Sequence, residues 1–310
     1  VKKNRAASID FGSNTIHLLV VEYDPTDPHQ WKEIYRKRFM VGLASGGSGA
    51  LILENPYQDC IKYTQIFKSI IDTYEVEHVS SVGTAIFRTA RNSENLVNDL
   101  QVVLGSPIRV ISGNEEAFLV AKGITAQGHY QSGTWNAIDI GGASTEFVLV
   151  ANGEIHALES TSLGIHTLYA KFHKQDPLTK AGLISLEAYI REVISASPVL
   201  RSLPIGVGMI GVSGSFELLG RLLGKLEMHF TDVELDVEAC LDAISKVQYL
   251  SESERANLPG IPSERAKLLV VGFTMVKVFF ELMKPTSLWV TARTLKEGLI
   301  HEYLTAKYPK

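Results

Sequence analysis

Two short stretches place a carboxylate where burial is expensive unless the charge is paired or metal-bound. IDFGSNT (9–15) and IDIGGAST (138–145) each carry an aspartate, Asp10 and Asp139, inside an apolar run just before a glycine corner. The corners then offer small residues: Gly12, Ser13, Asn14 and Thr15 in the first, Gly141, Gly142, Ala143, Ser144 and Thr145 in the second. Glycine and short hydroxyl residues let successive backbone N–H groups turn into one concavity, which is how a chain cradles phosphate oxygens. An aspartate at the end of such a strand suits a hydrated Mg²⁺ or a water that must be oriented. Glu146, which closes the second corner, can share that cation with Asp139 through water. One corner of this kind is also what any strand entering a turn looks like, with the aspartate bonding its own turn amides. Two copies half a chain apart, each followed by an alternating apolar run, argue for a repeated device. Aligned by sequence, the second copy reads with one extra residue at the corner.

ISGNEEAFL (111–119) supplies a second kind of chemistry. Ser112 and Glu115 have the spacing of a capping box, which gives Glu115 a structural task. Glu116 is left over in the first helical turn, where the helix dipole favours the ionised form. A carboxylate beside a phosphate site is the base that water-driven phosphate cleavage needs. Both acids are also what a helix start favours, and the residues alone leave the two readings level. Arg88, in GTAIFRTAR (83–91), follows a strand, and its fork of donors suits phosphate oxygens. An isolated arginine there is more often solvated, and Arg91 fits that description. Gly211 and Gly214 in GVSGS form a third glycine corner, readable as a ligand-facing turn or as a close strand–helix contact. His17 reads as packing on its hairpin. Arg36, Lys37, Arg38, Lys171 and Lys174 read as solvated charge rather than as a polyanion guide.

These residues need elements to hold them. Residues 7–23 read as a hairpin around GSN, and 29–44 as a further strand, followed by a flexible loop over 42–51. Apolar positions at helical spacing fill 55–76. A strand is expected over 78–87, a helix over 88–104, and a strand, turn and helix over 107–126. The second half repeats the plan. It has a hairpin over 136–154, a continuation toward a helix over 159–173, a helix over 178–196, and a strand, glycine turn and helix over 206–224. Helices then dominate, at 234–250, at 263–284 and toward the C terminus around 287–304. Alternating strands and helices of this kind build mixed sheets with helical crossovers.

The bulk numbers set the limits. The 310 residues suit about two domains. With 45% hydrophobic and 21% charged residues, the composition is that of a globular protein. A net charge of −4 advertises neither nucleic acid nor an anionic membrane as partner. Cys60 and Cys240 lack metal-ligand spacing and suit a reducing compartment. The N-terminal stretch is interrupted by Asp10, Asn14 and His17, so it does not read as a secretory leader. The longest apolar run, 268–283, is too short for a membrane span. A cytoplasmic enzyme is expected.

The paired hairpins resemble the phosphate loops of the actin-like ATPase superfamily. Within it, IDFGSNT, IDIGGASTE and ISGNEEA are similar to the exopolyphosphatase / guanosine pentaphosphate phosphohydrolase family. GTAIFRTARN, RVISGNEEAFLVAKGI, SLGIHTL, GVSGSFELLG, LPGIPSERA and LKEGLI follow in the family's order over nearly the whole chain. The resemblance implies an α/β fold of two actin-like (ribonuclease H-like) domains, with mixed sheets flanked by helices and an active-site cleft between them. Domain I would span 1–125, with a C-terminal helix near 298–310 packing back on it, and domain II 126–297. It further implies Glu116 as catalytic base, Arg88 as phosphate ligand, and Mg²⁺ or another divalent cation held by Asp10, Asp139 and Glu146. Gly12–Thr15, Gly141–Thr145 and Gly214 would bind phosphate. The substrate would be inorganic polyphosphate or, as the alternative, guanosine pentaphosphate, with a homodimer as a candidate assembly. Two other classes compete: a sugar or acetate kinase of the same superfamily, which would want an aspartate base where this chain has SGNEEA, and a sensor that binds without turnover. Three departures bear on rate and chain-length preference: Ala143 for a third glycine, Lys296 in LKEG where LREG is common, and Lys267 where an acid is common.

Overall fold

The computed structural model describes residues 4–46, 50–126, 129–226 and 232–309. The chain divides into two units: Val1–Gln127 together with Thr294–Lys310, and Gly128–Arg293. The glycine-rich positions 47–49 of the expected 42–51 loop lie outside the described residues.

Unit 1 runs β1 (Asn4–Phe11), β2 (Thr15–Asp24), β3 (Asp27–Met40), α1 (Glu54–Thr73), β4 (His78–Gly83), α2 (Ala85–Thr89), α3 (Ser93–Leu104), β5 (Ile108–Val110) and α4 (Gly113–Ala126). Unit 2 runs β6 (Thr134–Ile140), β7 (Thr145–Ala151), β8 (Glu154–Thr161), α5 (Ile165–Phe172), α6 (Lys180–Ala196), α7 (Pro198–Arg201), β9 (Gly208–Val212), α8 (Gly214–Leu222), β10 (Asp232–Leu235), α9 (Val237–Val247), α10 (Glu252–Ala256), α11 (Ser263–Met283) and β11 (Leu288–Thr291). The chain then returns to unit 1 as α12 (Leu295–Lys307). That return begins at Thr294, a few residues before the 298 expected from sequence.

The sheet of unit 1 has the order β3-β2-β1-β4-β5, with the hairpin strands antiparallel and β1, β4 and β5 parallel. In unit 2 the order is β10-β11-β9-β6-β7-β8. Its five strands β8-β7-β6-β9-β11 repeat the order and directions of unit 1, and β10 adds an antiparallel edge.

Sequence explains why β1 and β2 sit centrally. Side chains alternate faces along a strand, and a strand buried on both faces reads as nearly continuous apolar sequence. Ala7, Ile9, Phe11, Leu18 and Val20 pack with Phe67 of α1 and Leu96 and Leu100 of α3. Ala6, Leu19, Val21 and Tyr23 pack with Ile300 and Leu304 of α12. Each of the valine, leucine, isoleucine and phenylalanine side chains contributes about 1.5–3 kcal/mol when fully buried. Helices α4 and α12 cross closely because Gly123 and Gly298 have no side chain. A Cβ on Gly123 would lie 2.0 Å from the Thr294 carbonyl oxygen, and one on Gly298 would lie 1.9 Å from that of Leu119. Ser8 Oγ bonds the Lys296 carbonyl at 2.8 Å. Glu297 is 1% exposed. Burial alone would raise its carboxyl, but Lys296 and Arg36 hold it below the usual range.

Unit 2 packs Ile138, Ile140 and Phe147 of its hairpin with α6 and α11. Lys277, inside the apolar run of α11, pairs with Glu187 at 2.7 Å and with Glu281 of the same run at 3.8 Å. Among the described residues no helix is long and apolar enough to cross a membrane. Cys60 and Cys240 are buried and free, and burial pushes both thiols up to about 12.

Several element boundaries differ from the sequence reading. The strand expected over 78–87 ends at Gly83, where a Cβ would lie 2.8 Å from the Phe87 ring folded back as α2. The helix expected over 88–104 is broken at Ala90, whose ψ of 140° is extended. The helix expected from 234 begins at Val237, after the strand Asp232–Leu235, and Asp236 caps it through Ala239 N–H at 2.7 Å. Leu288–Thr291 is a strand rather than a helical approach.

Candidate active site

In unit 1 the first loop leaves β1 at its carboxyl end, where open α/β sheets bind ligands. Gly12 N–H bonds Thr15 O at 3.0 Å and closes the corner. The glycine is required for space, not for a left-handed backbone, because a Cβ there would lie 2.8 Å from that same oxygen. Ser13 O accepts from Ala44 N–H at 2.9 Å, and Asn14 O accepts from Val41 and Gly42 N–H at 2.9 Å each. A trans peptide points its N–H opposite its C=O. Anchoring these two carbonyls therefore turns the N–H groups of Asn14 and Thr15 to the other side, as an anion cradle requires. Asp10 stands opposite His17 in the register, and Thr15 Oγ1 lies 2.8 Å from His17 Nε2.

The second loop repeats this construction. Gly141 N–H bonds Ser144 O at 2.9 Å, and a Cβ on Gly141 would meet that oxygen at 2.9 Å. Gly141 O accepts from Ile165 N–H and Gly142 O from His166 N–H, at 3.1 and 2.9 Å. The N–H groups of Gly142 and Ala143 are thereby turned away from α5. Phe11 pairs with Ile16 and Ile140 with Thr145, so both corners hold four residues. The extra residue read from the sequence is not there: Thr15 corresponds to Ser144, and Thr145 to Ile16. Thr145 is fully buried and its hydroxyl bonds Leu163 O, so its side chain faces the interior. Ala143 does not have a positive φ, so its methyl does not strain the loop.

This register decides what faces each aspartate. Opposite Asp139 stands Glu146, where unit 1 has His17 opposite Asp10. Two directly opposed carboxylates repel unless a cation or proton lies with them. Glu146 is 2% exposed and accepts from Ser160 Oγ at 2.7 Å. Asp139 Oδ1 accepts from Ser213 Oγ. Among the described residues no group of three or more His, Cys, Asp or Glu side chains is arranged to hold a metal. Two carboxylates nevertheless fit Mg²⁺, a hard cation that takes oxygen ligands and keeps several waters. Asp139 and Glu146 are the residues of unit 2 that would hold it, and Asp10 is the corresponding aspartate of unit 1.

Ser213 is a site residue the sequence reading missed. It has φ 70° and ψ −176°, a region nearly reserved for glycine and costing about 1–3 kcal/mol. Gly211 beside it is explained by packing, since a Cβ would lie 2.3 Å from the Phe216 ring. A Cβ on Gly214 would meet Arg265 Nη1 at 3.2 Å, which places that guanidinium over the corner. His166, at the start of α5, was also missed. Its Nε2 is buried without a hydrogen-bond partner, and burial with Arg265 and Lys267 pushes it down to about 4.

In unit 1, Ser112 and Glu115 form the expected reciprocal cap. Ser112 N–H donates to Glu115 Oε2 at 2.8 Å, and Glu115 N–H to Ser112 Oγ at 3.2 Å. These bonds hold Glu115 below its ordinary value. Glu116 instead pairs with Arg88, whose Nη1 lies 2.9 Å from Oε2 and also donates to Ile111 O at 2.8 Å. Side-chain exposure is 24% for Arg88 and 13% for Glu116, so the pair is shielded but reachable. The two are 28 residues apart in sequence, and the last turn of α2 and the first turn of α4 bring them together. Arg91 is exposed. Arg36 pairs with Glu33 and Glu297 at 2.6 and 2.7 Å. Lys296 is buried with its Nζ 2.8 Å from Thr294 Oγ1.

Several known proteins share this arrangement of elements. An exopolyphosphatase from Cytophaga hutchinsonii superposes with a TM-score of 0.88 over 98% of each chain, at 25% identity. The Aquifex aeolicus member of the Ppx/GppA family superposes at 0.84 over 100% of each, at 21% identity. By sequence, the guanosine-5'-triphosphate,3'-diphosphate pyrophosphatase of Vibrio vulnificus (strain YJ016) is 30% identical over 302 residues. That alignment takes in 96% of this chain, which spans 59% of the relative's length. Residues 25–307 match the family described as Ppx/GppA phosphatase. The two mixed sheets flanked by helices are those of the actin-like ATPase fold. On this evidence the chain belongs to the Ppx/GppA phosphatase family.

Proposed function

We propose that the chain is a phosphoanhydride hydrolase that releases the terminal phosphate of inorganic polyphosphate. The observation that carries this reading is the Arg88–Glu116 pair, held at 2.9 Å while Glu115 is spent on the helix cap. A carboxylate whose orientation is fixed by a guanidinium can align a water molecule and accept its proton. The water oxygen bonds to the terminal phosphorus, and its proton goes to Glu116. The anhydride P–O bond breaks, giving orthophosphate and a chain one phosphate shorter. Arg88 and the N–H groups of the first loop neutralise charge on the phosphoryl oxygens. In unit 2 the second loop presents N–H groups of its own, and Mg²⁺ at Asp139 and Glu146 would supply charge neutralisation to phosphate bound there. The Cytophaga hutchinsonii protein, which superposes over 98% of this chain at 25% identity, is named an exopolyphosphatase.

A second reading has a specific support. The curated relative at 30% identity is named for guanosine-5'-triphosphate,3'-diphosphate. The same base and first loop would act on its 5′ phosphoanhydride. Phosphate release with Mg²⁺ on long-chain polyphosphate and on guanosine pentaphosphate tests both. The better substrate decides between them, and tight binding of either without release would sink the hydrolase in favour of a sensor. The reading takes the chain as cytoplasmic, in keeping with its two free cysteines. Light scattering during the same experiments reads its assembly, a homodimer included.

A further inference from the structure

The carboxylates of unit 2 lie in a row that ends on a serine held against its backbone preference. Ser213 takes the N-cap place before α8 at φ 70°, yet its side chain gives that helix no hydrogen bond. Serine is among the best N-cap residues, and a glycine would accept this backbone without strain. Its hydroxyl is turned to Asp139 Oδ1 instead. On the opposite flank, Ser160 stands across from Glu146 and donates to its Oε1 at 2.7 Å. Ser160, Glu146, Asp139 and Ser213 thus follow one another across β8, β7, β6 and the end of β9. Each hydroxyl fixes one oxygen of one carboxylate. Two carboxylates facing each other repel, and tethers of this kind stop them from rotating apart before a cation arrives.

We infer that Ser213 is a positioning residue. It holds Asp139 in the orientation in which the Asp139–Glu146 pair takes a divalent cation, and Ser160 does the same for Glu146. This rests on the reading of that pair as the cation's protein ligands. Hydrogen-bond partners of metal ligands typically change metal affinity by about 10–100-fold when removed. The strain at Ser213 has a function if it serves this bond, since outliers of this kind concentrate where the structure over-determines them.

The test titrates Mn²⁺ alone into the full chain and follows the free ion by electron paramagnetic resonance. Wild type, Ser213→Ala, Ser213→Gly, Ser160→Ala and Asp139→Asn are compared. Wild type binds, Asp139→Asn does not, and each serine variant binds about 10–100-fold more weakly. Ser213→Gly melts at a higher temperature than Ser213→Ala, because only glycine relieves the backbone, so weak binding by the glycine variant is not loss of fold. In phosphate release, the Mg²⁺ concentration giving half the maximal rate rises while kcat at saturating Mg²⁺ stays near wild type. Mn²⁺ affinity unchanged in both Ser213 variants overturns the role of Ser213 alone, as does a fall in kcat with an unchanged Mg²⁺ requirement. Wild type that binds no Mn²⁺, or Asp139→Asn that binds like wild type, overturns the carboxylate reading beneath it.

Discussion

At Glu116 the carboxylate is held by Arg88, whereas its neighbour Glu115 closes the cap of α4 onto Ser112. Replacing Glu116 by Gln keeps the shape and removes the base. We expect kcat on polyphosphate to fall by about 10²–10⁴ with KM little changed; an unchanged kcat would remove Glu116 from the chemistry. Arg88→Lys keeps a charge but loses the fork, and both kcat and KM should worsen in the same assay. The capping role of Glu115 was legible from the S-x-x-E spacing. The partnership of Glu116 with Arg88 was not, because nothing local links a residue of the short helix α2 to the start of α4. Ser213 was illegible for another reason: a serine's φ is set by what surrounds it. Register also misled, since threonine aligns naturally with threonine, yet Thr15 corresponds to Ser144. His166 carries a pH effect. Folded, burial holds it near 4, against 6.5 for the free side chain. Between those values the unfolded chain binds a proton that the folded chain does not, so stability is full above pH 6.5 and falls with pH, by up to about 3 kcal/mol. Urea unfolding at pH 7 and pH 5 should show this loss in wild type and a smaller one in His166→Gln. His78 and His173, also lowered by burial, leave a residual slope.

Helix α4 brings Glu116 to its place only because its other end is packed tightly on α12. The Thr294 and Leu119 carbonyls occupy the space where side chains of Gly123 and Gly298 would be. Backbone oxygens cannot rotate away, so Gly298→Ala should cost about 1–3 kcal/mol or more, read as a lower melting temperature. A variant as stable as wild type would mean the two helices separate without loss. The long elements were legible because their periodicity extends over many residues, as in α1, α6 and α11. The short ones were not. β10 and β11 are four residues each, and LWVT carries no alternation that distinguishes a strand from a helical approach. α2 was hidden because a chain leaving a strand into a five-residue helix keeps the apolar character of both.

At the scale of the molecule, unit 2 is one continuous stretch, Gly128–Arg293, inserted into unit 1. It has its own sheet and core. A fragment of residues 128–293 should therefore fold alone, with a cooperative melt and protected amides in β6, β9 and α11; a non-cooperative melt would show that it needs unit 1. The duplication behind this plan was legible in the two aspartate hairpins, and the non-contiguous makeup of unit 1 was legible only through the resemblance. Its consequence concerns synthesis. The 166 residues between Gln127 and Thr294 take the ribosome roughly 10–30 s at about 5–20 residues per second. Throughout that interval the face of β1 and β2 bearing Ala6, Leu19, Val21 and Tyr23 lacks Ile300 and Leu304, the side chains that cover it. A greasy, half-built sheet must wait for its lid while a whole second domain is translated, so the nascent chain is a natural client for chaperones that shield apolar surface on the ribosome.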